Sequence, residues 1–181
     1  GREAPAGEKW VYKTGETNLI GVLVSEATGK PLAEYLSEKV WAPFGMEQDA
    51  VWMLGSTGHE ISGCCISASL RDYARFGMFI LGGGKAGGKD VLPADWLPSA
   101  TTKQAEIGEP GRGYGYQWWT YDDGSYAAQG IFGQGIFIDP KRKLVIASNG
   151  NWPTATDPDG VGAARQAFYA SVQVAVDKEG K

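Results

Sequence analysis

"AAQGIFGQGIFIDPKRKLVIASNGN", Ala127 to Asn151, is the stretch on which the fold turns. Glycines and apolar residues run to Pro140, "KRK" follows, and "LVIAS" resumes an apolar, β-branched run. Two such runs joined by a short polar, proline-containing link read as antiparallel strands with a hairpin connection. Upstream, "YGYQWWTY" (Tyr114 to Tyr121) is rich in β-formers and reads as another strand, and "DDGS" at 122 to 125 is a turn signal between the two regions. On that strand Trp118 and Trp119 fall on opposite faces, so one faces the core and the other is a candidate substrate contact.

Away from this region the apolar period becomes helical. Leu19, Ile20, Leu23, Val24 and Ala27 mark one face of a helix over 18–28, with Thr14 or Thr17 as its cap and Gly29 as its stop. A second helix runs from Pro31 to Val40, and "WAPFGM" breaks it. "SLRDYARFGMFILGG", 69–83, is the clearest helix, with Ser67 or Ser69 as cap and a glycine run at its end. Residues 163–176 form a last helix. Helices first, then antiparallel strands, then a helix indicate an α+β or mixed α/β fold rather than regular βαβ units.

Composition narrows the function. The 181 residues carry a net charge of −4 with both signs interspersed, which argues against nucleic acid as a partner. No apolar run is long enough to span a membrane. The 27 glycines and 7 tryptophans fit a small-molecule cleft, and equally an aromatic-rich binding module. A disulfide between neighbouring residues is uncommon, so Cys64 and Cys65 are expected to be reduced and buried. That favours the cytoplasm, with the periplasm as alternative. The single histidine, His59, lies in a loop and reads as a surface residue, so no Ser-His-Asp triad is assigned. No zinc-type cluster of His and Cys occurs, "GGGKAGG" at 82–88 is a flexible turn rather than a phosphate loop, and no metal or other cofactor is expected.

A tyrosine ahead of a helix and a Gly-rich strand pair remain. "YKTGETNLIGVLVSEATGKPLAEYLSEKVWAPFGM" resembles the segment after the catalytic tyrosine in serine β-lactamase-like hydrolases. Those include class C β-lactamases, family VIII carboxylesterases and 6-aminohexanoate-dimer hydrolases. "ISASLRDYARFGMFILGGG" and "GIFGQGIFIDPKRKLVIASNGN" resemble two further segments of that family, the second carrying its third motif. The resemblance implies a β-lactamase-like fold with an antiparallel sheet flanked by helices. It implies Tyr12 as general base, Thr14 at the position of the motif asparagine, and the N–H of Ile131, after Gly130, as an oxyanion donor. Thr14 and Gly130 are the implied substrate contacts, beside Trp118 or Trp119. The third motif reads Ala128-Gln129-Gly130, without the cation that binds a β-lactam carboxylate, and so is closer to the 6-aminohexanoate-dimer hydrolases and esterases.

A serine hydroxyl needs a neighbour to take its proton. A phenol titrates near ~10, so a phenol acting near neutral pH must be lowered by about 3 units, roughly 4 kcal/mol, which a nearby ammonium and hydrogen bonds supply. The family's nucleophile motif is S-x-x-K, and no lysine here has a serine three residues before it; "LSEK" at 36–39 is only S-x-K. Lys13 reads as solvated charge. Residues 1–181 are therefore expected to be the C-terminal portion of one catalytic domain, whose partner is the N-terminal portion of the same enzyme and whose substrate is a small amide or ester. The alternative is a non-catalytic aromatic-rich binding module or an inactive fragment.

Overall fold

A computed structural model describes residues 1–156 and 160–180. The chain divides into two compact units, residues 1–72 with 85–91, and residues 73–84 with 92–181.

In the first unit, α1 (Thr14–Thr28) ends at Gly29, whose φ of 66° lets its N–H reach the Ser25 carbonyl. The helix begins four residues earlier than its apolar pattern predicts. Thr14 lies inside the first turn rather than capping it, and Lys13 occupies the cap position with extended backbone. The second helix also runs longer than expected. α2 (Leu32–Leu36) passes through a π-helical turn, Ser37–Trp41, into α3 (Ala42–Phe44), with Gly45 left-handed at the end. Pro43 falls in the first turn of α3, directly after the π-helical turn. Two short antiparallel pairs complete the unit, β1 (Val51–Trp52) with β2 (Ile66–Ser67) and β3 (Lys85–Ala86) with β4 (Lys89–Asp90). α4 (Leu70–Leu81) starts on a cap made by Ser69, which accepts the Asp72 N–H at 3.1 Å and donates to the Asp72 carboxylate at 2.7 Å. Asp72, fully buried, also accepts the N–H groups of Glu47 (2.7 Å) and Gln48 (3.1 Å).

The second unit is built on a six-stranded antiparallel meander. After α5 (Trp96–Ala100) come β5 (Ala105–Glu106), β6 (Arg112–Tyr114), β7 (Trp119–Tyr121), β8 (Tyr126–Gln129), β9 (Gly135–Asp139) and β10 (Leu144–Ser148), adjacent in chain order. "YGYQWWTY" is not one strand. The chain reverses between β6 and β7, where Gln117 takes a φ of 68° and the Gly115 N–H bonds to the Trp118 carbonyl at 2.8 Å, so that Tyr114 pairs with Trp119. Likewise "AAQGIFGQGIFID" is two strands, β8 and β9, joined by a turn. The expected DDGS and KRK turns are present. In the first, the Asp123 carboxylate accepts the Ser125 N–H (2.9 Å) and hydroxyl (2.6 Å).

Every residue of β9 is buried, because the strand is covered on both faces. On one side α4 lies directly on β9 and β10. A Cβ at Gly77 would fall 2.5 Å from Val145 and 2.9 Å from Ile136, so only glycine allows this approach. On the other, α6 (Val161–Glu179) stacks Tyr169 on Phe137 at 4.5 Å between ring centroids, over Ala127. Asp139, 1 % exposed, accepts Arg142 Nη1 (2.8 Å) and N–H (3.1 Å) and Gln173 Nε2 (2.7 Å), while Arg142 grips Asp177 with its other edge at 3.0 and 2.8 Å. Burial alone raises the Asp139 pKa, but the bonds from Arg142 and Gln173 outweigh it and hold the carboxyl below its ordinary range.

Asp139→Ala leaves those donors without their acceptor and is expected to lower unfolding stability by about 3 kcal/mol at pH 7. The folded-state pKa is depressed, so this contribution is complete above the unfolded value of ~3.9 and disappears as pH falls through the folded one. Urea unfolding of wild type and variant at pH 7 and pH 3 checks this, and the gap between them narrows in acid.

Candidate active site

Tyr12 stands two residues before α1, 52 % exposed, its ring edge-on to Trp10 at 6.5 Å. The helix start behind it is pinned by the segment before β2. Ser62 Oγ donates to the carbonyls of Thr17 (3.2 Å) and Asn18 (3.1 Å), and the Gly63 N–H donates to Asn18 Oδ1 at 2.7 Å. A Cβ on Gly63 would lie 2.6 Å from Thr14 Cγ2, so Thr14 is held by close backbone approach. Tyr12 is thus exposed ahead of the helix rather than enclosed in a core. Tyr126 shows the contrast: it is buried, and burial alone pushes its phenol up to about 12. Lys13 is exposed and pairs with Glu3, as expected of a surface charge. His59 is exposed in its loop.

Cys64 and Cys65 correct the sequence expectation. They are bonded to each other, Cys64 is exposed and Cys65 half-buried with a φ of 85°. The pair is anchored through its backbone, with Trp52 Nε1 bonding to the Cys64 carbonyl and the Met53 N–H to the Cys65 carbonyl, each at 3.0 Å. The argument for a cytoplasmic location from reduced cysteines falls with it.

Gly130 and Ile131 belong to the second unit and occupy the turn between β8 and β9. The Gly130 N–H bonds to the Gln134 carbonyl at 2.8 Å and the Gly133 N–H returns to the Gly130 carbonyl at 3.2 Å. Gly133 has a φ of 87°, and a Cβ there would meet the Trp152 indole at 2.3 Å. The segment after β10 clamps the turn from outside. Trp152 N–H bonds to the Phe132 carbonyl and Thr156 N–H to the Ile131 carbonyl, both at 3.0 Å. Ile131 is 54 % exposed, and among the described residues its own N–H has no acceptor. An amide without an acceptor on a turn fixed at four points is a preorganised hydrogen-bond donor.

Trp118 and Trp119 differ in burial, and Trp118 lies just before β7 rather than within it. Trp118, 8 % exposed, packs edge-on against Tyr126 at 5.3 Å and is core, so it is no substrate contact. Trp119 is half-buried between Tyr114 (4.9 Å) and the Arg112 guanidinium (5.4 Å). Gln129 keeps its side chain turned to Tyr121, donating to the hydroxyl at 2.7 Å, and to Arg165, accepting at 2.9 Å. The third motif therefore presents no side-chain cation. Trp152 and Arg165 escape a sequence reading, because nothing local ties them to a turn some 20 to 35 residues away. Among the described residues no cluster of His, Cys, Asp and Glu could hold a metal, and no helix is long and apolar enough to cross a membrane.

The chain matches the Beta-lactamase family over residues 1–171 and belongs to that family. It is 31 % identical over 159 residues to the 6-aminohexanoate-dimer hydrolase of Paenarthrobacter ureafaciens, a match covering 82 % of this chain and 40 % of that protein. A Bacillus anthracis structure described as a 6-aminohexanoate-dimer hydrolase superposes with a TM-score of 0.87 at 30 % identity, over 98 % of this chain and 47 % of that one. EstCE1, a hydrolase with promiscuous acyltransferase activity, shares the fold with a TM-score of 0.67 at 15 % identity, over 85 % of this chain and 54 % of its own. The chain thus spans about half the length of the relatives it matches.

If Cys64 and Cys65 are bonded as described, the unfolded but unreduced protein gives no reaction with a thiol reagent, and reduction releases two thiols per chain. Two titratable thiols before reduction would show the pairing to be wrong.

Proposed function

We propose that this chain is the C-terminal portion of a serine hydrolase that cleaves amide or ester bonds in small carboxylic-acid derivatives, with 6-aminohexanoate oligomers as the favoured class. The observation that carries the reading is the clamped turn after Gly130, on which Ile131 is exposed and its N–H has no acceptor among the described residues. The family membership and the likeness to 6-aminohexanoate-dimer hydrolases support it. Support for an absent portion comes from the lack of S-x-x-K and from α1, whose Leu19, Ile20, Val22 and Leu23 are each about half exposed or more (49–61 %). An apolar face of that kind is normally covered. We assign its cover to the N-terminal portion, which carries the serine and its lysine.

In this reaction Tyr12, assisted by the lysine of the N-terminal portion, takes the serine proton as the serine oxygen bonds to the substrate carbonyl carbon. The carbonyl π electrons move onto oxygen, and the Ile131 N–H, with the N–H of the nucleophile, stabilises that charge. The electrons return, the C–N or C–O bond breaks, and the leaving amine or alcohol takes the proton back from Tyr12. Water then repeats the sequence on the acyl-enzyme and releases the acid and the free serine. The third motif offers no cation for a β-lactam carboxylate, so β-lactams are poor substrates.

The test is hydrolysis of 6-aminohexanoate dimer, a p-nitrophenyl ester and nitrocefin by the intact enzyme and by its Tyr12→Phe variant. Loss of the base is expected to lower kcat by about 10²–10⁴-fold on the first two substrates, with nitrocefin turned over poorly by both proteins. Unchanged rates in the variant would remove Tyr12 from the mechanism.

A further inference from the structure

Arg165, near the start of α6, touches both sides of the oxyanion turn. Its Nη2 donates to Gln129 Oε1 at 2.9 Å, on the residue immediately before Gly130. Its guanidinium carbon lies 4.8 Å from the centroid of the Trp152 ring, the same ring that packs against Gly133 at the far end of the turn. Gln129 is fixed on its other side by Tyr121, whose hydroxyl also accepts Gln166 Nε2 at 3.0 Å. One side chain thus braces the residue entering the turn and the indole beneath its exit.

The arrangement is costly. Arg165 Nε and Nη1 are buried with no acceptor among the described residues, and unpaired buried donors destabilise a fold. Stacking on an indole offsets part of this. A costly polar group of this kind is expected where the fold serves a site rather than stability alone. The guanidinium's flat fork can stack on Trp152 and bond to Gln129 at once, whereas an ammonium can do one or the other.

We propose that Arg165 is a positioning residue that sets the direction of the Ile131 N–H by bracing Gln129 and Trp152 together. This rests on Ile131 as the oxyanion donor. In this role Arg165 acts through Gln129 and Trp152 rather than on the substrate. Its effect is confined to an interaction made in the transition state, so losing it lowers kcat and leaves KM nearly unchanged.

The experiment uses the intact enzyme with a p-nitrophenyl ester as substrate and an alkylboronic acid as tetrahedral analogue. Arg165→Met, Arg165→Lys and Gln129→Leu are expected to lower kcat by about tenfold or more, since small misplacements at a reacting centre cost up to ~10²-fold. Boronate affinity falls in parallel, while KM and the affinity for the product acid change by less than about twofold. Lysine does not rescue. Circular dichroism and thermal melts identify the folded variants. Wild-type kcat in a folded Arg165 variant overturns the proposal, as does a loss explained by the unfolded fraction. If neither Arg165 variant folds, Gln129→Leu decides on the same criterion. Ile131→Pro, which lacks the N–H, separates the two layers. An active Ile131→Pro enzyme refutes the oxyanion assignment, and an inactive one beside fully active Arg165 variants refutes only the positioning role.

Discussion

A backbone N–H cannot be aimed by its own side chain. Its direction is set by the peptide plane, and that plane is set by whatever holds the residues on either side. The Ile131 amide depends on this. β8 and β9 fix the two ends of the turn through their ladder, which pairs Gln129 with Gly135. The middle is held by carbonyls bonded from outside, Ile131 by Thr156 and Phe132 by Trp152. Gly133 and Gly150 allow the outer segment to press against the turn, and a Cβ on Gly150 would lie 2.5 Å from the Gly133 carbonyl oxygen. The carbonyls are thereby occupied, and among the described residues the Ile131 amide is left without an acceptor.

That device works only if β9 itself does not move. A strand covered on both faces cannot slip by one residue without turning its whole apolar set toward the wrong layer. Ile136 and Ile138 belong to the α4 side, Phe137 to the α6 side. α6 is tied twice more along its length, through Gln173 to Asp139 and through Asp177 to Arg142. The helix that supplies Arg165 is therefore anchored by contacts well away from the turn, which is the condition for a brace to be stiffer than what it braces.

The sequence shows these layers unevenly. The stop at Gly29, the Ser69 cap, the DDGS turn and the KRK link each have a local chemical cause and are legible. The reversal inside "YGYQWWTY" is not, because Gln117 adopts a positive φ that its residue type does not announce. The early start of α1 is hidden for a similar reason: Thr14 to Thr17 carry no apolar face, and the turn is stabilised by Ser62 and Gly63 from more than 40 residues away. Cys64 and Cys65 defeat a rule about neighbouring cysteines, since Cys65 takes a left-handed backbone. Family resemblance supplies Tyr12, Gly130 and Ile131 as candidates, while Trp152 and Arg165 emerge only when the chain is folded. Their positions follow from packing against a turn, and packing leaves no local pattern.

The two candidate groups are held by opposite strategies, and each suits its chemistry. A general base must give up and regain a proton, so it needs a side chain that is not enclosed. Tyr12 sits ahead of its helix and outside any core, on a segment steadied two residues later by Gly63 against Thr14. An oxyanion donor changes nothing in itself during the reaction. It has only to be in place before charge develops, and a strand-bounded turn with its carbonyls already bonded gives that without reorganisation. Exchanging the two would fail. A tyrosine enclosed like Tyr126 is driven away from neutral titration by burial, and an amide on a segment as open as residues 10–13 would spend much of its time bonded to water.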